Sequence, residues 1–345
     1  MSDDPAVKPA DLVGQPVGWT VNDPDDSPRQ FHGLVRSWRA GPTIGRGLRE
    51  YRAEVVPWLW FLTRTLDCKI FQNKSAPDII TAVCDGYGFG DYDLQLTGPH
   101  PVREYCVQYR ESAFAFVSRL MEDEGIFTTH TFAAGKHTLV LADAPAAYVA
   151  CAPQDTAEYR PEARDVAAVT AWERGATSVA GRAASTDYDF TAPATKLLAT
   201  TDTVAPLAGV ARFELFDFPG HYTAADRGAA LVKLRMEEEE ALFDTAAGAG
   251  GCSAFRPGGT FTLTGHPADD GEYVVVGVGH AASDPHIPGV RGGTATYANT
   301  FTCAPAAVPV RPARATPKPR AAGPQTAVVV GPAGEEVHTD EYGRV

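Results

Sequence analysis

A run of alternating apolar and polar residues, a turn and a second, largely apolar run together place the strongest constraint on the fold. Residues 260–264 alternate through Phe261 and Leu263, and residues 272–278 follow after a glycine- and proline-containing turn at 265–271. Because successive side chains of a strand point to opposite faces and turn residues reverse the chain, this segment predicts a β-hairpin.

The same alternation recurs near the amino terminus. Residues 31–38 and 51–55 both alternate as strands do, and the loop chemistry of residues 40–47 between them predicts a long-looped hairpin. A further strand is predicted at 137–141. With Gly 33 and Pro 27 among 345 residues, many turns and a β-rich chain are expected.

Helical spacing predicts two helices in the middle of the chain. The first begins at Ser75, with Pro77 and Asp78 in its first turn, and ends near Gly86. Its apolar stripe is formed by Ile79, Ile80, Val83 and Cys84. The second begins at Ser112 and ends at Gly125, with an apolar face of Phe114, Val117, Leu120 and Met121.

The end of the second helix has the wrong charge for the helix dipole, since residues 122–124 are all acidic. Solvation of these side chains is expected to hold the cost to roughly tenths of a kcal/mol. A third helix is predicted over about 224–243, after a capping box of Thr223 and Asp226. Its apolar face is expected to consist of Leu231, Leu234, Ala241 and Leu242.

The segment 304–324 has the composition of a linker. Six prolines alternate there with four basic residues, which favours an extended polyproline conformation without a core. Residues 325–330 then predict the first strand of a new domain.

Charge and hydropathy exclude several classes of function. Lys+Arg 30 against Asp+Glu 43 gives a net charge of −13, which argues against a nucleic-acid surface. The most apolar stretch, residues 55–62, is far short of the roughly 20 residues that span a bilayer. Residues 1–5 show no secretory signal. Buried free thiols are expected for all six cysteines: Cys68, Cys84, Cys106, Cys151, Cys252 and Cys303.

Catalytic and metal-binding motifs are not evident, so no catalytic, cofactor-binding or metal residues are expected. The closest histidine pairs are His130 with His137 and His280 with His286, for which ordinary surface or core roles are preferred over metal binding. Residues 85–93 resemble a calcium loop but lack its ligand positions, so a turn after the first helix is preferred.

Three further groups admit a functional and a structural interpretation. The acidic run 237–240 is either a partner site or, as preferred, a solvated helix flank. Asp67 and Glu122 could form an acid/base pair only at a suitable separation, which the sequence does not give. The aromatic residues Trp58, Trp60, Phe114 and Phe116 would form either a sugar-binding face or, as preferred, core or subunit packing.

Several multi-residue stretches of the chain resemble the VgrG family of type VI secretion spike proteins, also called Rhs element Vgr proteins. This family is similar to phage tail hubs. The resemblance covers about residues 11–345 and is carried by residues 55–64, 67–75, 103–112, 114–126, 216–220, 261–266, 323–331 and 338–345. It implies a β-rich α+β fold with two antiparallel β-barrel hub domains that carry helical insertions, then a proline-rich linker and the start of an OB-type barrel.

The domains implied are a first hub barrel at 11–62, an α+β insertion at 63–149, a second hub barrel with an inserted helix at 150–304, the linker at 305–324 and the OB-type start at 325–345. Relative to the family, the chain is expected to be truncated at both ends. The first barrel would be incomplete, and the needle that contacts a target membrane would be missing.

The function implied is structural rather than enzymatic. A homotrimer of hubs would dock on a hexameric tail-tube protein, help to puncture target cells and carry effectors or adaptor proteins, with no cofactor and no nucleic acid. Assembly would be cytoplasmic, followed by secretion through the type VI apparatus. The alternatives are the hub of a prophage or extracellular contractile injection tail, a β-rich carbohydrate-active enzyme, and an effector-binding adaptor that uses residues 237–240.

Overall fold

A computed structural model describes residues 2, 4, 6–22, 28–44, 47–163, 167–285, 294–324, 326–334 and 337–344. Its regular structure is dominated by strands, with three α-helices between them, which confirms the β-rich α+β class. The helices are α1 (Ala76–Gly86), α2 (Ala113–Glu124) and α3 (Ala225–Glu240). No helix in the described ranges is long and apolar enough to cross a membrane.

Within the described ranges, the strands form five sheets. They are β1 (Pro16–Asn22), β2 (Pro28–Ile44), β3 (Leu48–Val56), β4 (Asp67–Lys74), β5 (Tyr92–Gln95), β6 (Arg103–Glu111), β7 (Phe127–Ala133), β8 (Lys136–Ala142), β9 (Val149–Ala150), β10 (Thr156–Glu158), β11 (Val169–Ala176), β12 (Arg182–Ser185), β13 (Ala199–Asp202), β14 (Glu214–Asp217), β15 (Asp244–Gly250), β16 (Gly259–Thr264), β17 (Gly271–Ser283) and β18 (Thr296–Pro305).

The first sheet has the order β1-β2-β3 and contains the predicted amino-terminal hairpin. The loop predicted at 40–47 is wrong for residues 40–44, which belong to β2. Ala40 pairs with Tyr51 and Thr43 with Arg49, with a register shift between the two pairs. A bulge of this kind lets a strand continue through glycine and proline, which had suggested a loop.

Both helix starts in the middle of the chain are confirmed. Ser75 caps α1 in a capping box, since Asp78 Oδ2 accepts the Ser75 N–H at 3.1 Å and Ser75 Oγ accepts the Asp78 N–H at 3.3 Å. Ser112 Oγ accepts the N–H of Ala115 at 3.1 Å at the start of α2. Each cap stabilises its helix by about 1 kcal/mol.

The first hydrophobic core lies between α1, α2, a 3-10 turn at Trp58–Arg64 and the sheet β5-β8-β7, which contains the strand predicted at 137–141. Phe116 of α2 is fully buried, and its ring stacks on Phe71 of β4 at 5.5 Å. Burial of such a side chain is worth about 1.5–3 kcal/mol, so this core anchors α2 firmly.

The largest sheet has the order β10-β16-β17-β18-β15-β11, and β9 also pairs with β16. It confirms the predicted hairpin as β16–β17, with Phe261 opposite Tyr273. Tyr159, the residue after the edge strand β10, forms one parallel bridge with Val169 of the other edge strand, β11. In the described ranges the sheet therefore curls on itself but is not closed by a continuous ladder, and the predicted barrels stay a prediction.

The third helix packs on the small sheet β13-β12-β14 with a different face from the one predicted. Its buried residues are four apart: Gly228, Val232 and Met236. Gly228 is needed there because a Cβ would lie 2.4 Å from the ring of Tyr222. The predicted face is wrong, since Leu231 and Leu234 are half-buried and Leu242 is 57% exposed.

The helix begins close to the predicted residue 224, but the end and the cap of α3 differ from the prediction. The helix ends at Glu240 rather than near residue 243. Ala224 occupies the N-cap position without a side-chain hydrogen bond, so the capping box of Thr223 and Asp226 is wrong. The packing of the helix on the small sheet, rather than a cap, fixes where the helix begins.

The carboxyl-terminal segment departs most from its prediction. Residues 306–324 form no helix or strand, as expected for an extended linker, but Arg311 is largely buried against the hub, with 12% of its side chain exposed. The strand predicted at 325–330 is wrong for the described residues 326–330, which form no strand. Val328 and Val330 there are 88% and 81% exposed.

Candidate functional site

The carboxyl end of α2 is surrounded by arginines from distant parts of the chain. The last turn of α2 contains no basic residue. Four guanidinium groups, from β6, α3 and the carboxyl-terminal segment, contact it instead: Arg103, Arg227, Arg235 and Arg311. Residues 122–125 and these four arginines are called the arginine junction below. The prediction that solvent offsets the acidic helix end is therefore wrong.

Glu124 is the buried centre of the arginine junction, with 1% of its side chain exposed. Its Oε1 accepts hydrogen bonds from Arg103 Nη2 at 2.6 Å and Arg227 Nη2 at 2.9 Å, while its Oε2 lies 3.3 Å from His100 Nδ1. Burial alone would raise the pKa of the Glu124 carboxyl, but these partners outweigh it and lower the pKa to about 2.

His100 bridges two buried carboxylates. The hydrogen bond to Glu124 raises its pKa, and its Nε2 lies 3.2 Å from Asp143 Oδ2. Because both ring nitrogens face carboxylate oxygens, both can donate only in the imidazolium form. Asp143 also accepts the backbone N–H groups of Thr97 at 2.8 Å and Gly98 at 2.7 Å, which fixes the loop that carries His100.

Two arginines of the junction bind the backbone carbonyls at the end of α2. Arg235 Nη2 donates to Glu122 O at 2.8 Å and to Asp123 O at 3.1 Å, and Arg311 Nη1 donates to Gly125 O at 3.0 Å. The last carbonyls of a helix have no partner within the helix, and a cation there also offsets the helix dipole. The positive charge that the last turn of α2 lacks is thus supplied by Arg235 and Arg311, which are distant in sequence.

The acidic run of α3 is also occupied from within the chain. Glu237 Oε2 accepts from Arg311 Nε at 2.7 Å, and Glu238 Oε2 accepts from Arg235 Nη1 at 2.6 Å. Glu240 Oε1 accepts from Thr203 Oγ1 at 2.8 Å. The interpretation of residues 237–240 as a solvated flank is therefore wrong, and these groups are not free for a partner.

The arginine junction stabilises the packing of separate secondary-structure elements against each other. Each acidic side chain in it faces a cation or an N–H donor, and it joins α2, α3 and the carboxyl-terminal segment. Among the described residues, no group of three or more His, Cys, Asp or Glu side chains is placed to hold a metal ion. Charge complementarity between 237–240 and the basic residues of 311–320 is the sequence signal that could have revealed this junction.

The predicted histidine pairs are only partly brought together. The rings of His130 and His137 lie 6.0 Å apart on β7 and β8, but the closest partner of His137 is His32 of β2, with their Nδ1 atoms 2.8 Å apart. His280 of β17 packs against Phe31, with 5.8 Å between ring centroids. His286 lies outside the described residues.

The other acidic candidates have separate structural partners. Residues 85–93 include the turn after α1, where the hydroxyl of Tyr92 donates to Asp85 Oδ1 at 3.1 Å. Asp67 forms an ion pair with Lys69 at 2.9 Å. Glu122 accepts the N–H of Thr316 at 2.8 Å, so Asp67 and Glu122 belong to different local networks.

The aromatic candidates do not share one face. Trp58 and Phe116 are buried in the first core, where Phe114 packs at its edge. Trp60 instead contacts two guanidinium groups, those of Arg36 at 5.0 Å and Arg64 at 4.6 Å from its ring centroid. Core packing is thus the observed role of Trp58 and Phe116.

The cysteine prediction holds for five of the six thiols, which are buried. Cys68 is the exception, since it is exposed on β4, where most side chains face solvent. Its Sγ accepts the backbone N–H of Arg110 at 3.3 Å.

The small sheet exposes a group of large apolar side chains. Its edge strand β14 pairs with β12, and within the described ranges no strand pairs with its other edge. The exposed fractions are 50% for Phe213, 44% for Leu215, 57% for Phe216 and 60% for Phe218. These four residues are called the β14 surface below. Because successive side chains of a strand point to opposite faces, Leu215 and Phe216 lie on opposite faces of this sheet. Large exposed apolar side chains beside an unpaired strand edge are typical of an interaction site.

Residues 1–286 match the family described as phage tail baseplate hub (GPD). The type VI secretion system spike protein VgrG1b of Pseudomonas aeruginosa is 36% identical over 351 residues, which cover 100% of this chain and 47% of that protein. VgrG1a of the same organism is 37% identical over 352 residues, covering 100% of this chain and 54% of that protein. The chain therefore spans about half the length of these curated relatives.

A solved structure with the same fold is the E. coli c3393 protein, described as a component of the type VI secretion system with structural similarity to the T4 bacteriophage tail proteins gp27 and gp5. It matches with a TM-score of 0.67 and 19% identity over 93% of this chain and 72% of that chain. The chain resembles VgrG spike proteins along its whole length, and it belongs to the phage tail baseplate hub (GPD) family.

Proposed function

We propose that this chain is the structural hub of a type VI secretion spike, where it forms a homotrimer, docks on the hexameric tail-tube protein and carries effectors or adaptor proteins. The observation that carries the proposal is the 36% identity to the spike protein VgrG1b over the whole chain. The shared fold with c3393, at a TM-score of 0.67, supports it independently.

The finer architecture belongs to the same proposal. Residues 11–62 would contribute to a first hub barrel, 63–149 would form its α+β insertion and 150–304 a second hub barrel. The curled seven-stranded sheet and its bridge at Tyr159 support the second barrel. Residues 305–324 would connect the hub to an OB-type barrel that begins at 325–345.

The role would be mechanical, with assembly in the cytoplasm and exit through the type VI apparatus. The interior supports this role, since buried ion pairs such as Arg119 with Glu111 at 2.7 Å tie helix to strand and resist separation under load. A hub that helps to puncture target cells needs rigidity of this kind more than an open cleft.

Self-association would use the β14 surface. A threefold ring needs a patch on each copy that meets a different patch on the next. The exposed Phe216 and Phe218 lie beside an edge of β14 that no described strand pairs with, and they supply apolar area and backbone groups for such a contact.

Sedimentation velocity and light scattering at micromolar concentration test this proposal. The expected species has three times the chain mass of 36.7 kDa. F216D and F218D should weaken trimer formation at least about tenfold, the effect of losing about 1.4 kcal/mol of contact energy. The control is L66D, at a residue 76% exposed outside this sheet, which should leave the trimer intact. A stable monomer at high micromolar concentration would contradict the proposal.

Docking on the tail tube calls for a second experiment. The tail-tube protein encoded in the same genome, assembled as rings, should retain the trimer on an affinity column. F216D should lose ring binding together with trimer formation, whereas L66D should keep both. Ring binding by a monomeric variant would contradict a docking site built from three hubs.

The family description as a phage tail baseplate hub favours one alternative, the hub of a prophage or extracellular contractile injection tail. The mechanics would be the same, but the tube partner would differ. Neighbouring genes distinguish the two, since tail genes would indicate a contractile tail and secretion ATPase genes a type VI system.

A further inference from the structure

Residues 310–316 follow the hub surface from β8 to α2 and α3. The N–H of Val310 donates to the hydroxyl of Tyr148 at 2.9 Å, at the start of this path. The N–H and Oγ1 of Thr316 donate to the two carboxylate oxygens of Glu122, at 2.8 and 2.6 Å, at its end. Both ends of a segment without helix or strand are therefore fixed by hydrogen bonds.

Arg311 is the central contact of this segment. It donates to Glu237 Oε2 at 2.7 Å, to Gly125 O at 3.0 Å and to Asp143 O. The side chains of Arg311 and Glu237 are only 12% and 13% exposed, so solvent screens this pair much less than a surface pair. One guanidinium thus joins α3, the end of α2 and the end of β8.

Arg314 adds contacts further along the segment. Its N–H donates to Glu238 Oε1 at 2.7 Å, and its Nη1 donates to Asp217 Oδ2 at 3.1 Å. Prolines on either side of these arginines restrict the unfolded segment, which lowers the entropy lost when it docks. The acidic groups of α3 and the basic proline-rich segment are therefore complementary in charge and in shape.

We propose that residues 310–316 are a strap that locks α3 against the carboxyl end of α2, and that Glu237 and Glu238 are the seat of this strap rather than a site for an external partner. The inference goes beyond the proposed function and requires no second chain. The predicted linker would then begin only after Thr316, and the strap would fix where the chain leaves the hub.

Limited digestion with trypsin tests the strap inside one molecule. Trypsin cleaves after arginine and lysine but poorly before proline, which excludes Arg311 and Lys318. Arg314 and Arg320 are both followed by alanine, and both are exposed. Arg314 lies inside the strap and Arg320 beyond it, so the second site is an internal control for the first.

In the native protein we expect cleavage after Arg320 to be at least about tenfold faster than cleavage after Arg314, because the strap must detach before a protease can bind it. R311Q should raise cleavage after Arg314 by about tenfold, the effect of about 1.4 kcal/mol. Cleavage after Arg320 should not change. Mass spectrometry of the fragments over time measures both rates.

E237Q provides a second variant, in which the seat is changed and the strap is not. It should also raise cleavage after Arg314, and the near-UV circular dichroism of both variants should show that the hub is still folded. Equal cleavage at Arg314 and Arg320 in the native protein would overturn the strap, as would unchanged cleavage in two folded variants. Since digestion is followed on the hub whatever its oligomeric state, failure to form a trimer would not affect the result.

Discussion

His137 and His32 face each other through Nδ1 atoms that are 2.8 Å apart. The Nε2 of His137 accepts the backbone N–H of Trp58 at 2.9 Å, so the proton of the neutral His137 ring lies on Nδ1 and is donated to His32. Protonation of His137 would break the bond to Trp58 or place two N–H groups against each other. This arrangement therefore requires a neutral His137 ring.

The first prediction concerns the loss of folding stability at acid pH. Burial lowers the pKa of His130, His137 and His280 from 6.5 to about 4, and for His280 the charge of Arg29 adds to it. Between pH 6.5 and 4 the unfolded chain binds protons that the folded chain does not, so stability is lost as pH falls. Each histidine contributes up to about 1.4 kcal/mol per pH unit. Urea unfolding at pH 7 and pH 5 measures the loss.

A matched pair of variants tests the origin of this loss. His130 Nε2 is buried without a hydrogen-bond partner, so H130F should reduce the loss between pH 7 and 5 by up to about a third of the three-histidine total. The control is H221N at an exposed histidine with φ 58°, a conformation that asparagine tolerates. If H130F has the same pH dependence as the native protein, His130 is not a source of the loss.

The second prediction concerns Glu124. E124Q leaves Arg103 and Arg227 facing a neutral amide in a largely buried site, so we expect the free energy of unfolding to fall by about 3 kcal/mol. Since the folded pKa of Glu124 is lowered to about 2, its contribution is present above the ordinary value of 4.5 and is lost as pH falls toward 2. Denaturant titration at pH 7 measures the change.

The control for Glu124 is another glutamate bound to an arginine. Glu158 pairs with Arg160 at 2.5 Å, but the two side chains are 51% and 55% exposed. E158Q should change stability little, because solvent screens exposed pairs. Equal effects of E124Q and E158Q would contradict a buried ionic centre at the end of α2.

The third prediction concerns the ion pair of Arg119 and Glu111. Arg119 Nη2 donates to Glu111 Oε1 at 2.7 Å and to Val107 O at 2.8 Å, while its Nε donates to Glu111 Oε2 at 3.0 Å. Lysine cannot reproduce this planar set of donors, so R119K should cost about 2–3 kcal/mol of unfolding free energy. The exposed R160K, measured in the same way, should change little; a loss of equal size there would show that geometry is not the cause.

Local signals in the sequence predicted the helix starts and the hairpin correctly. A cap such as Ser75 with Asp78, or an alternation such as that of residues 260–264, acts over a few residues and needs no distant partner. The capping box predicted for α3 is wrong, because the spacing of Thr223 and Asp226 shows only that a cap could form. Whether the cap forms depends on how the helix packs, which the local sequence does not show.

Long-range charge pairing could not be predicted from the same signals. Glu237 and Arg311 are 74 residues apart, and neither the acidic run nor the proline-rich segment shows which groups the fold will bring together. Each alone has the composition of a solvated surface, and only their complementarity indicates burial. The predicted buried face of α3 is wrong for a related reason. Leu234 contacts Gly125 where α3 crosses the end of α2, and helical periodicity alone does not indicate such a crossing.

The fourth prediction concerns thiol reactivity. Burial raises the pKa of Cys84 and Cys303 to about 12, whereas Cys68 is the exposed thiol. A thiol reagent such as Ellman's reagent should therefore modify one thiol rapidly in the folded protein and the others only on unfolding. C68S should abolish the fast phase, and its survival in C68S would show that a buried thiol is accessible.

Two constraints favour glycine at position 125, a left-handed backbone conformation and close neighbouring side chains. Only the left-handed conformation favours glycine at position 135. Their φ angles are 67° and 71°. A Cβ on Gly125 would lie 2.8 Å from Leu234 Cδ2 and 3.4 Å from Arg311 Cδ, while one on Gly135 would meet nothing within 4 Å. Alanine at either position pays the cost of a left-handed residue, about 1–2 kcal/mol.

The last prediction follows from this difference. G135A should lower the free energy of unfolding by about 1 kcal/mol, and G125A by at least about 1 kcal/mol more, because Leu234 must move from the end of α2. G125A should also raise cleavage after Arg314, since the added methyl group lies against the side chain of Arg311, whereas G135A should not. Denaturant titration and trypsin digestion of the two variants decide it. Equal losses of stability with unchanged cleavage would mean that backbone conformation alone, and not the crossing of α3 and the strap, fixes glycine at position 125.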